Sequence, residues 1–166
     1  QTHPALRGKD VPMVFQTYAE VEFLKAEAAI RGWISSSAEE HYNKGVTAAM
    51  KMLKQLYPAS TAITDAEISA YLAGPGAYDA SKGWEMAMNE YWKATFLNEY
   101  EAYANWRRTG YPTLTPTKHP NSVSNNQIFR RMIYPGGESA TNGDNYAAAV
   151  ARQGADDFTT RMWWDK

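Results

Sequence analysis

Glu20, Glu22 and Glu27 are the first candidates for chemistry, because Glu20 and Glu27 share one face of any helix that carries them. Two carboxylates on one face are what acid–base hydrolysis requires, one to give a proton and one to take it. A structural role competes and is the stronger reading. Glu20 closes the sequence Thr17-Tyr18-Ala19-Glu20, whose spacing engages both ends in capping a helix. Glu27 lies among alanines where an arginine can pair with it, and Arg107 or Arg108 is the expected partner. The histidines His3, His41 and His119 are scattered, with no H-E-x-x-H or triad-like pattern around them, so no catalytic residue is assigned.

Glu138, Asn142, Asp144 and Asn145 surround Gly143 as a weak echo of a calcium loop. Their spacing does not fit an EF-hand, and hydrogen bonding within the loop is favoured, so no metal ligand is assigned. The doublets Arg107-Arg108 and Arg130-Arg131 suit phosphate in principle, but the chain has no glycine-rich cradle and internal ion pairing is preferred. Nothing calls for a cofactor. For ligand binding the useful aromatics lie at element ends: Trp33 after Gly32, Tyr78 after Gly74-Pro75-Gly76, and Trp84 at the start of a helix. A flat aromatic face there can stack on a sugar ring or a peptide side chain, or else seal the core.

The whole composition narrows the partners further. Lys and Arg total 17 against 18 acidic residues, a formal charge of −1 that gives no general attraction for nucleic acid or anionic lipid. A length of 166 residues suits a single domain or a fragment of a larger protein, and with no cysteine there is neither a disulfide framework nor a thiolate metal site. No apolar run approaches the roughly 20 residues that span a bilayer. The start at Gln1-Thr2-His3-Pro4, with no initiator Met, reads as a processed or excised segment.

The elements that must position these residues are helices. Gln1–Pro12 is polar and aperiodic and reads as an extended lead-in. Thr17-x-x-Glu20, Ser37-x-x-Glu40 and Thr64-x-x-Glu67 are three capping boxes, and Gly32, Pro58 and Gly74 mark the stops that follow them. The first two helices are close enough in sequence to form an antiparallel hairpin. From Trp84 to Pro112 a long aromatic helix is expected, its stripe running through Trp84, Met88, Tyr91, Thr95, Ala102 and Trp106. Trp92, Phe96, Tyr100 and Tyr103 widen that stripe, which predicts a helix covered on several sides. Asp79 or Ser81 caps it, and Gly110 with Pro112 ends it. Prolines then punctuate an irregular segment, Ile128–Tyr134 reads as a short strand or extended run, Asp144 caps a final helix that Gly154 stops, and Trp163-Trp164 anchor the tail.

Read together, the blocks T-Y-A-E-V-E-F-L-K-A-E-A-A-I-R-G-W (Thr17 to Trp33), N-E-Y-E-A-Y-A-N-W-R-R-T-G-Y-P (Asn98 to Pro112), R-R-M-I-Y-P-G-G-E (Arg130 to Glu138) and M-W-W-D (Met162 to Asp165) resemble the SusD/RagB family, in its SusD-like branch. The order and spacing agree from about Pro12 to Asp165. In that family such blocks form the C-terminal part of a longer chain. The resemblance implies an all-α fold with tetratricopeptide-like helix pairs, here joined to the aromatic helix and an irregular, loop-rich C-terminal segment. Thr17–Arg31 and Ser37–Tyr57 supply one such pair, without a 34-residue self-repeat. It further implies a non-catalytic, cell-surface lipoprotein of the outer membrane, capturing oligosaccharide or peptide for a SusC-like, TonB-dependent transporter. Its lipid anchor and its N-terminal part would lie outside this segment. The alternative is a helical protein–protein scaffold with no small ligand.

Overall fold

A computed structural model describes residues 9–58 and 60–165, and His3 with most of the lead-in lies outside them. Among the described residues there are seven α-helices and no strand: α1 (Tyr18–Ile30), α2 (Ala38–Leu56), α3 (Asp65–Ala73), α4 (Gly83–Ala94), α5 (Glu99–Thr109), α6 (Glu138–Thr141) and α7 (Gly143–Gln153). The fold is therefore all-α, as the family resemblance implies. No helix among the described residues is long and apolar enough to cross a membrane. Contacts divide the chain into two compact units, one ending at Tyr103 and the other beginning at Ala104.

In the first unit the caps form as their spacing predicts. The Thr17 hydroxyl accepts the Glu20 N–H at 3.1 Å while the Glu20 carboxylate accepts the Thr17 N–H at 3.2 Å, and Thr64 with Glu67 repeats the exchange. Only half of the middle box is made. Ser37 accepts the Glu40 N–H, but the Glu40 carboxylate turns outward to Lys44. At the end of α1, Gly32 takes φ +71°, and the N–H groups of Gly32 and Trp33 close onto the carbonyls of Ala29 and Ala28. That left-handed stop reverses the chain into α2. Replacing Thr64 by Ala is expected to cost about 1 kcal/mol in urea unfolding, since it orphans the donors at the start of α3. A loss under about 0.3 kcal/mol would mean that the cap carries no weight.

Contacts between Glu22 and His41 and between Phe23 and Gly45 pack α1 against the first turns of α2. The core of this unit is Ala19, Phe23 and Ala26 of α1, Tyr42 and Val46 of α2, Ile68 of α3, and Ala87, Met88, Tyr91 and Ala94 of α4. Phe23 meets Tyr42 edge-on, with ring centroids 6.3 Å apart. Small residues admit this close approach: a Cβ added at Gly45 would stand 2.7 Å from the Phe23 ring.

One expected element is corrected. The aromatic helix is not continuous, because α4 ends at Ala94 and α5 begins at Glu99. The buried Thr95 hydroxyl donates back to the carbonyls of Tyr91 and Trp92, Leu97 takes φ +71°, and the Asn98 carbonyl receives the first N–H bond of α5, from Ala102. A Thr side chain bonded to its own preceding turn competes with helix continuation. The stripe itself holds, with Met88, Tyr91, Thr95 and Trp106 buried, but of the residues expected to widen it Trp92, Phe96 and Tyr100 are exposed and only Tyr103 is half-buried. Asp79 caps a single 3₁₀ turn, Ala80–Lys82, leading into α4.

In the second unit the chain is held by polar anchors. Asp156 accepts from Arg131 Nη2, the Tyr134 N–H and the Tyr146 hydroxyl, and the buried Asp165 accepts from Arg130 and Arg161. Segment 128–134 is irregular, with the Arg130 N–H donating to the Phe158 carbonyl at 2.7 Å. α7 starts at Gly143 with no side-chain cap, so Asp144 falls inside it, and Gly154 at φ +95° ends it. Of the two tail tryptophans Trp164 is half-buried, whereas Trp163 lies exposed and anchors nothing.

Candidate functional site

The exit from α1 brings two of the three expected ligand-binding aromatics together. The Arg31 guanidinium lies over the Trp33 ring at 5.1 Å from its centroid and over the Trp84 ring at 4.5 Å. Arg31 Nε is bonded to Glu27 Oε1 at 2.9 Å, so the cation is neutralised and its plane is fixed. Trp33 remains 69% exposed while Trp84, at the start of α4, is half-buried. The result is an aromatic-edged surface with an ion-paired guanidinium between its two rings, suited to stacking. Tyr78 serves elsewhere. Its ring leans on Tyr42, centroids 5.3 Å apart, and its hydroxyl is so close to Gly83 that an added Cβ there would come within 2.3 Å. The spacing pointed to Trp33 and Trp84 as element-end aromatics, but gave no sign that Arg31 joins them.

The three glutamates do not form a cleft. All are buried, each with its own partners: Glu20 with Thr17, Glu22 with Lys25 and His41, Glu27 with Arg31. Burial pushes the Glu20 carboxyl up, and the bonds from Thr17 only partly offset it. Glu22 is also pushed up by burial, but bonds from His41 and Lys25 outweigh this and hold it below the ordinary carboxylate range.

His41 belongs to an arrangement the linear sequence does not reveal. Its Nδ1 sits 2.6 Å from Glu22 Oε2 and its Nε2 2.8 Å from Ser36 Oγ, the order of a hydroxyl, imidazole and carboxylate relay. None of these three residues except Glu22 is enclosed, and neither Ser36 nor His41 lines either cavity of this unit. The relay ties the loop after α1 to both helices. His119 sits in an exposed loop, where its Nδ1 accepts the Asn121 N–H. In the loop around Gly143 the side chains bond to each other, the Asn142 amide donating to the Glu138 carboxylate and the Asn145 amide to Asn142 Oδ1, each at 2.7 Å.

Two cavities flank α2, and neither was legible beforehand. One of about 600 Å³ is bounded by Val14, Met50, Leu53, Ile63, Phe96 and Leu97, with Glu20, Tyr71, Glu90 and Lys93 among its polar groups. The Tyr71 hydroxyl and the Lys93 ammonium both bond to Glu90, at 2.7 and 2.6 Å. The other, of about 670 Å³, runs past Tyr18, Ala48, Met52 and Leu56. Both are largely apolar in their lining.

The described residues thus form an all-helical fold in which two tryptophans meet on one arginine, and comparison with known proteins places the chain in a family. A family model described as SusD-like, "Starch-binding associating with outer membrane", matches residues 2–135, and this chain belongs to that family. It is similar to a solved chitin-binding protein at 37% identity and a TM-score of 0.86, over 98% of this chain and 36% of that one. A Bacteroidetes SusD-like structure matches at 34% identity and 0.89, over 99% and 32%. A SusD homologue from Bacteroides fragilis NCTC 9343 matches at 31% identity and 0.75, over 90% and 34%. The chain thus spans about a third of the length of these structures. No curated protein matches.

Proposed function

We propose that this chain is the C-terminal portion of a non-catalytic, cell-surface nutrient-binding lipoprotein that captures oligosaccharide, or peptide, for a SusC-like TonB-dependent outer-membrane transporter. Membership of a family described as starch-binding and associating with the outer membrane supports the class. The observation that carries ligand capture is the Trp33–Arg31–Trp84 stack, its guanidinium held by Glu27. Sugar rings present apolar C–H faces to such aromatics, and the guanidinium between them can donate to a sugar hydroxyl. The 37% identity to a chitin-binding protein makes chito-oligosaccharides the first ligands to test, with malto-oligosaccharides beside them.

The test is calorimetric titration of both glycan series. Trp33→Ala is expected to weaken binding about tenfold, equivalent to roughly 1.4 kcal/mol. Because Trp33 is 69% exposed, the variant should retain wild-type unfolding. Tyr78→Phe should leave affinity unchanged, since that ring is engaged with Tyr42. Equal affinity of wild type and Trp33→Ala would remove the platform from the site.

A second reading, a helical scaffold whose partners are polypeptides, draws on the cavities beside α2. Their lining by Met50, Met52, Leu53 and Leu56 suits an apolar polypeptide segment, and the remaining N-terminal part of a longer chain is the partner we favour there.

A further inference from the structure

In the second unit a cavity of about 380 Å³ is lined by Arg107, Arg131, Tyr134, Gln153, Met162 and Trp164 among others, and no carboxylate is part of that lining. Both of its guanidinium groups are anchored on neighbouring groups. Arg107 lies over the Trp164 ring at 4.6 Å and donates from Nη1 to the Arg130 carbonyl at 2.8 Å. Arg131 is only 9% exposed, donating from Nε to the Met132 carbonyl and from Nη2 to Asp156 at 3.1 Å. Its Nη1 is enclosed and meets no hydrogen-bond acceptor among the described residues. Buried donors are nearly always satisfied, and a charged one left over points to an acceptor that arrives from outside. Asp156, the carboxylate that Arg131 meets, is shared as well by the Tyr134 N–H and the Tyr146 hydroxyl.

We propose that this cavity binds the carboxylate of an acidic glycan, a sugar chain containing uronic acid residues. A planar carboxylate matches the two-donor edge of a guanidinium better than a point charge would, and a small turn of the Arg131 head presents Nη1 to it. Trp164 and Tyr134 supply flat walls for the ring that carries the acid. Gln153 donates its amide to the Tyr134 hydroxyl at 2.9 Å, which sets its orientation and leaves a carbonyl oxygen to offer a sugar hydroxyl. The assignment rests on reading the chain as glycan-binding, and it places the acid-selective contact in the second unit, whereas the stack at Trp33 belongs to the first.

The test is titration of the 166-residue chain with trigalacturonate, maltotriose, chitotriose, a sulfated trisaccharide and inorganic sulfate, at low and at physiological salt. Trigalacturonate is expected to bind at least tenfold more tightly than maltotriose, with affinity falling as salt rises. Arg107→Gln and Arg131→Gln should each remove most of that preference. Arg131→Gln also loses the tie to Asp156, so circular dichroism accompanies it, and Arg107→Gln carries the conclusion if the other variant unfolds. The proposal is overturned if trigalacturonate binds no better than maltotriose, if both folded variants keep the preference, or if the sulfated sugar is preferred. Competition by inorganic sulfate as effective as by the uronate would mean an adventitious ion only. Binding of neutral but not acidic sugars defeats this inference alone, whereas binding of no glycan defeats the proposed function as well.

Discussion

Phe23→Ala is expected to lower the unfolding free energy by about 3–5 kcal/mol, a large share of the 5–15 kcal/mol that holds a typical domain together. Phe23 is fully buried, edge-on to Tyr42 and directly over Gly45, so its removal empties the place where α1 and α2 come closest. The neighbouring site fails in the opposite sense. An added methyl at Gly45 would lie 2.7–2.9 Å from three atoms of the Phe23 ring, inside ordinary contact distance, and Gly45→Ala should cost about 1–3 kcal/mol through overpacking. The two changes share one volume. In the double variant the methyl introduced on α2 occupies part of the space vacated by the ring, and the combined loss should be smaller than the sum by about 1 kcal/mol or more. Urea unfolding followed at 222 nm measures all three. Additive losses, or a harmless Gly45→Ala, would show that the helices do not meet where Phe23 and Gly45 place them.

Such a contact illustrates what was and was not legible in the sequence. Caps and stops are local chemistry, decided by neighbours three or four residues away, and Thr17, Thr64, Gly32 and Gly110 act where their spacing puts them. The division of the aromatic helix is also local in cause, yet unreadable. Thr95 breaks it only because its buried hydroxyl turns back on Tyr91 and Trp92, and the same residue facing water could continue a helix. Periodicity marked Met88, Tyr91 and Trp106 correctly as inward-facing. It could not show that Trp92, Phe96 and Tyr100 are exposed, because an aromatic beside a core stripe reads the same whether covered or bare.

The candidate sites follow the same division. Trp33 and Trp84 stand at element ends, and both rings meet the same guanidinium, that of Arg31. Arg31 escaped notice because only the return of the chain through α4 sets Trp84 beside it. Ser36, His41 and Glu22 come from a loop and two helices, so no linear motif could have joined them. The cavities along α2 and the pair Arg107 and Arg131 are likewise products of distant segments meeting. Internal ion pairing was the better expectation for the arginine doublet at Arg130-Arg131, and Asp165 and Asp156 answer it.

The buried glutamates of α1 should respond to acid in opposite directions. Glu22 is held below the ordinary carboxylate range despite its burial, because His41 Nδ1 at 2.6 Å and Lys25 Nζ at 2.9 Å favour the charged form. A carboxyl depressed by folding adds stability above its unfolded pKa of about 4.3 and surrenders it as pH falls through the lower, folded value. Glu22→Gln is therefore expected to cost about 2–3 kcal/mol at pH 7, less than a fully enclosed ion pair would, because Lys25 is half in water. The cost should fade in strong acid. Glu20 runs the other way: burial raises its carboxyl, so its charge opposes folding at neutral pH and the penalty disappears once it is protonated. Gln at position 20 can still accept the Thr17 N–H, so Glu20→Gln should gain about 0.5 kcal/mol at pH 7 and nothing in strong acid. Urea midpoints from pH 7 down to pH 3 separate the two, the Glu22→Gln deficit closing from one side and the Glu20→Gln gain from the other. A Glu22→Gln deficit of constant size across that range would mean that His41 and Lys25 recognise the shape of the side chain and not its charge.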